Sequence, residues 1–147
     1  MNPIRPSLCF LAVAVTAIAA VKEEINPGKL KDKVTIIVGK DLTVQFQQQD
    51  DGLSQPKVIE NAGENAATVT FSSKVISGKG AKIVSLITRH PFPKTLVFRA
   101  LIRLQGEKEY KETSIVPVGK GLAGGESWSD PVEEIVLFDF KLSDKEP

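Results

Sequence analysis

Between Thr95 and Leu104 the side chains alternate without a break. Leu96, Phe98, Ala100, Ile102 and Leu104 stand on one side, and Val97, Arg99, Leu101 and Arg103 on the other. A period of two belongs to a β-strand, whose successive side chains point to opposite faces. The same rhythm recurs in Asp41–Gln48, where Leu42, Val44 and Phe46 alternate with polar residues, and in Ala67–Ser73, where Val69 and Phe71 do so. No stretch after the N-terminal segment carries a helical period over ten residues, so the chain is expected to be all-β.

Turn chemistry divides the remaining strands. Gly39-Lys40-Asp41 separates Val34–Val38 from the strand that starts at Asp41, and Asp50-Asp51-Gly52 closes that strand. A weaker strand is expected over Lys57–Glu60, closed by Asn61–Asn65. Ser77-Gly78-Lys79-Gly80 marks the turn into Ala81–Thr88, and Gly106–Glu109 the turn into Tyr110–Val118. A glycine-rich loop is expected over Gly119–Pro131. The last strand, Val132–Leu142, is expected to set Val136, Phe138, Phe140 and Leu142 on one face. Seven to nine short strands at this spacing suggest an immunoglobulin-like β-sandwich lacking the disulfide and buried tryptophan of antibody domains.

The N-terminus points to export. Arg5 precedes an apolar run, Leu8–Ala20, that ends in small residues, with Ala17-Ile18-Ala19 fitting a signal-peptidase site. The run is shorter than the roughly 20 residues that span a bilayer, and no second span follows. The expected organisation is a signal peptide over 1–20, a polar arm over 21–33, the β-sandwich domain over 34–142 and a polar tail over 143–147. The arm carries the turn Pro27-Gly28 and is expected to join the sheet only through Ile25 and Leu30.

Cys9, the one cysteine, falls inside the apolar run, so the mature chain is expected to hold no disulfide. That absence, with the lack of an Asn-x-Ser/Thr acceptor, leans toward a bacterial periplasm or exterior. The chain has 19 Lys+Arg against 18 Asp+Glu. Losing Arg5 makes the mature protein formally neutral, and a neutral chain with evenly mixed charges has no electrostatic reason to seek nucleic acid or an anionic membrane.

Catalytic chemistry is sparse. One histidine, His90, and no mature cysteine exclude the usual His/Cys zinc sets. No phosphate-binding loop occurs, because neither Lys79 nor Lys120 is followed by Ser or Thr. Glu133 and Glu134 are adjacent in a strand and are expected to point to opposite faces, so they do not form a carboxylate pair. The expectation is a non-enzyme with no cofactor and no metal.

The residues open to a binding role are Trp128, His90, Phe92, Arg99, Arg103 and Tyr110. Trp128 either offers a platform to a sugar or protein partner or folds back to plug the core. His90 and Phe92 share a loop with Pro91 and Pro93. Arg99 and Arg103 lie on one strand face, where they can hold a carboxylate or phosphate, or pair with Glu133 or Asp139 of a neighbouring strand. The expected function is an exported, non-catalytic interaction module, with an envelope or extracellular protein as partner. The alternative is a carbohydrate-binding domain using Trp128 and Tyr110.

Asn26-Pro27-Gly28, Leu122-Ala123-Gly124-Gly125 and Arg89-His90-Pro91-Phe92 each resemble part of a loop motif of the chagasin family, immunoglobulin-fold inhibitors of papain-like proteases. The first lacks the family's threonines, the second lacks its leading glycine, and the third has an inserted histidine and stands out of order. The resemblance implies no membership. It adds protease inhibition as a further alternative.

Overall fold

The computed structural model describes residues 24–61 and 67–147. The expected leader with Cys9, residues 21–23 of the arm and the turn at 62–65 lie outside the described residues. Nine strands follow one 3-10 turn at Pro27–Lys29: β1 (Val34–Ile37), β2 (Asp41–Gln49), β3 (Gly52–Ile59), β4 (Thr68–Gly78), β5 (Ala81–Arg89), β6 (Thr95–Leu104), β7 (Tyr110–Thr113), β8 (Ala123–Trp128) and β9 (Val132–Ser143). No α-helix occurs among the described residues.

All strand pairs are antiparallel. They form one curled sheet in the order β7-β6-β9-β3-β2-β4-β5-β8, with β1 added to β9. The two halves of this path meet narrowly. β3 and β9 share one register pair, Gly52 with Lys141, supported by Leu142 N donating to Asp51 O at 2.7 Å. Lys94 braces the junction from outside, with Nζ 2.7 Å from Asp51 and 3.1 Å from Asp144. Both carboxylates accept hydrogen bonds from its ammonium and raise the lysine pKa.

The curled sheet encloses a core centred on Phe46, Phe71, Phe98 and Phe140. Phe140 sits 4.8 Å from Phe46 and 5.6 Å from Phe98, centroid to centroid, and Phe71 meets Phe98 edge-on at 6.0 Å. Tilted and edge-on aromatic contacts of this kind add to the burial of the rings themselves. β2 and β6 reach this core through the expected alternation: Val44 and Phe46 from one, Leu96, Phe98, Ala100 and Ile102 from the other.

β9 departs from it. Opposite β6, Val97 pairs with Lys141 while Arg99 pairs with Phe138, so β9 holds one residue more than its partner. That residue region contains Asp139, whose φ is +57°. A bulge of this kind reverses the phase of side chains along a strand. Ile135 and Leu137 therefore join Phe140 and Leu142 in the main core, whereas Val136 and Phe138 face the other side with Leu101. The expected single face of Val136, Phe138, Phe140 and Leu142 is corrected accordingly. Ile25 and Leu30 of the arm cover this second cluster.

Three further expectations change. The strand placed at Lys57–Glu60 begins at Gly52, and Pro56 lies where the β2–β3 register slips, a position that needs no ladder N–H. The strand placed at Tyr110–Val118 ends at Thr113, and Val118 keeps only an isolated bridge to Leu96. The glycine-rich loop is largely strand β8. Gly124 lies so close to Val118 that a Cβ there would come within 2.5 Å of Cγ2, so its glycine serves close packing within a strand.

Candidate functional site

The curl brings the two ends of the sheet path together through side chains. Trp128 on β8 donates from Nε1 to Thr113 Oγ1 on β7 at 3.0 Å, and Glu126 Oε1 accepts from Val116 N at 2.6 Å. Trp128 is half-buried against the main core.

His90 is buried, and both ring nitrogens meet backbone. Nε2 lies 3.0 Å from Val118 O, and Nδ1 accepts from Phe92 N at 3.2 Å. A carbonyl at Nε2 and an amide N–H at Nδ1 assign the proton to Nε2. Phe92 is buried too, stacked on the imidazole at 5.5 Å. Gly121 N donates to Phe92 O at 3.1 Å, so the His90–Phe92 segment and the Gly119–Leu122 turn do meet. Their aromatic groups face inward, leaving Leu122 exposed beside a shallow opening.

The arginines pair within the sheet. Arg99 Nε and Nη2 donate to Glu112 Oε1 at 2.8 and 2.6 Å, and its guanidinium lies 4.9 Å from the Phe138 ring centroid. Arg103 holds Glu133 at 2.7 Å and Glu134 at 3.1 Å. The two glutamates converge, against expectation, because the β6–β9 register slips between Arg103 and Leu104, leaving Glu133 as an extra residue. Tyr110 OH donates to Glu134, and Arg103 lies over the Tyr110 ring. Burial, and then the bond to Glu134, push the Tyr110 pKa up. Contact with Tyr110, then Glu134, raises that of Arg103. Tyr110 belongs to the outer cluster and Trp128 to the main core, so the two aromatics do not form one platform.

Sequence reasoning missed a different place, at the end of the molecule away from His90. Three connections meet there around a cleft of about 260 Å³. Ser73 fixes the first: its Oγ accepts from Gly39 N and donates to Lys40 O, each at 3.0 Å, which sets the β1–β2 turn beside β4. The second is the β8–β9 turn, where Gln105 N donates to Pro131 O at 2.8 Å. The third is the β4–β5 hairpin, which supplies Val75, Lys82 and Val84.

The cleft is mainly apolar, lined by Ile37, Val75, Val84, Pro131 and Val132, with Lys82, Asp130 and Glu133 also in its lining. Ile37 and Val75 remain 48% and 50% exposed. Large apolar side chains left this open around a concavity are a recognised mark of interaction surfaces. Val84 is the register partner of Trp128, so the single tryptophan stands beside the cleft. The available sequence signal was the apolar pair Val75-Ile76 between lysines, in a hairpin longer than its neighbours require.

Two other openings, of about 490 and 550 Å³, lie at the arm beside Tyr110 and at the His90 end. The first is rimmed by charge from Glu24, Lys29, Lys108 and Glu109. Among the described residues, no group of three or more His, Cys, Asp or Glu is placed to hold a metal ion. No helix among them is long and apolar enough to cross a membrane. Comparison with protein-family models, curated proteins and solved structures finds no match to this chain.

Proposed function

We propose that the protein is an exported, non-catalytic interaction module, whose partner is an envelope or extracellular protein seated in the cleft between Ile37, Val75 and Pro131. The curled sheet is read here as an immunoglobulin-like sandwich, with β7-β6-β9-β1 as one layer and β3-β2-β4-β5-β8 as the other. Export rests on Arg5 and the apolar run Leu8–Ala20.

The observation that carries the reading is the half-exposed apolar lining of the cleft. Its volume falls just below the roughly 300–1,000 Å³ of small-molecule pockets. That size suits one or two apolar side chains from a partner, with Lys82, Asp130 and Glu133 available at the rim for polar contacts. The residues best suited to chemistry have other work: His90 supports two backbone groups, and the arginines hold glutamates.

The test is site-specific photo-crosslinking in an envelope extract, with the reactive group at position 37, 75 or 122. One partner crosslinked from 37 and 75 but not from 122, and lost in Ile37→Asp, supports the reading. Equal capture from 122, or capture unchanged in Ile37→Asp, rejects the cleft as the site.

A further inference from the structure

We propose that the outer part of the β4–β5 hairpin docks on an anionic lipid surface. Its geometry is that of a projecting ribbon. β2 pairs with β4 only as far as Ser72, and β8 pairs with β5 only from Val84 onward. Beyond both points the two strands pair with each other alone, from Ile76 opposite Ile83 to Gly78 opposite Ala81, while Lys74 and Val75 form the base of the ribbon opposite Ser85 and Val84. Every residue from Lys74 to Ile83 is exposed.

The ribbon carries apolar side chains on both faces. Ile76 and Ile83 lie directly opposite each other, 54% and 38% exposed. Val75 stands on the other face, toward the cleft. Around them are Lys74, Lys79 and Lys82, none of which forms an ion pair among the described residues. From Asn65 to Gly106 the sequence contains no Asp or Glu, so the neutral total of the mature chain conceals a cationic segment. The expectation of evenly mixed charge fails here.

These features select the occupant. A second copy pairing ribbon to ribbon would bring lysines together, a known device against edge association. A rigid protein surface would cover one face and leave the opposite isoleucine or valine in water. A lipid interface surrounds the tip, takes up apolar groups from both faces and meets the lysines with anionic headgroups. The free backbone edges cannot enter hydrocarbon unpaired, which limits the ribbon to headgroup depth. Binding is therefore peripheral, reversible and weakened by salt. Each lysine near the surface is expected to contribute about fivefold to the partition. The proposal does not depend on the cleft reading.

The experiment is flotation of the full chain with vesicles of phosphatidylcholine alone, or of phosphatidylcholine mixed with phosphatidylglycerol. Two variants accompany it, Lys74→Glu/Lys79→Glu and Ile76→Ser/Ile83→Ser, which leave the lysine and apolar residues of the cleft in place. Trp128 emission verifies that both are folded. Flotation only with phosphatidylglycerol, reduced at least tenfold in the lysine variant and clearly weakened in the isoleucine variant, supports the proposal. No flotation with anionic vesicles overturns it, as does equal flotation of the lysine variant. Binding that soluble polyglutamate abolishes, with no change in the isoleucine variant, also overturns it and assigns the lysines to an acidic polypeptide.

Discussion

Trp128 and Thr113 stand on the first and last strands of the sheet path and are joined by one hydrogen bond, Nε1 to Oγ1, at 3.0 Å. Their contact fastens the curl where the backbone ladders do not. Thr113→Val keeps the shape of the side chain and removes the acceptor. The expected cost is about 1 kcal/mol, the net worth of a typical hydrogen bond. Urea unfolding followed by the emission of the single tryptophan measures it, and an unchanged midpoint would dismiss the bond as a fastener.

Gly124 is required by the closeness of Val118. Gly124→Ala is expected to destabilise by about 1–3 kcal/mol, the cost of overpacking a filled site. Gly125→Ala should be mild, because its nearest neighbour is Leu86 O at 4.0 Å. Pairing Gly124→Ala with Val118→Ala should recover part of the loss, and a double-mutant cycle in urea reads that coupling. Additive losses would show that Val118 is not the obstacle.

Asp139 sets which residues of β9 enter the core. Asp139→Gly should be tolerated, since glycine accepts a positive φ, whereas Asp139→Val should lose about 1–2 kcal/mol to backbone strain. Deleting the residue is the sharper test. It shifts the downstream strand by one position and turns Phe140 and Leu142 out of the core, so the deleted chain is expected not to fold. A cooperative unfolding transition in the deletion variant would show that the bulge is dispensable.

Tyr110 is the single tyrosine, so its ionisation can be followed directly by ultraviolet absorbance. Its midpoint is expected above the ordinary 10.0, and Glu134→Gln should bring it back toward that value. The shift has a stability counterpart. A raised folded-state value means that the unfolded chain loses its phenolic proton first. The contribution is therefore complete below about pH 10 and is lost as pH rises through the folded value. A midpoint at or below 10.0 would contradict the half-buried bond to Glu134.

β2 and β6 could be read from the sequence because their alternation is uninterrupted through Val44–Phe46 and Leu96–Leu104. β9 could not, since a bulge is one extra residue and leaves no local mark. With Asp139 uncounted, Phe138 and Phe140 look equivalent, and Glu133 and Glu134 look opposed. Gly124 and Gly125 suggest a loop in the sequence, whereas the first answers a side chain that lies outside its own strand. Trp128 left both of its roles open, because whether a tryptophan plugs or protrudes depends on what stands opposite. The cleft was harder still: Ile37, Val75 and Pro131 come from three connections far apart in the chain. The lysines of the ribbon were visible individually, but a net charge summed over the whole chain averaged them away.

β1 pairs only with β9, the first strand with the last. β9 also pairs β6 along its length and makes the narrow join to β3. A chain emerging from its N-terminus therefore holds strands with no place to dock until the final segment is available. Such long-range pairing folds slowly, because loop closure precedes the contacts that reward it. A chain stopped before Val132 therefore has hairpins but lacks the one strand that pairs with β1, β3 and β6.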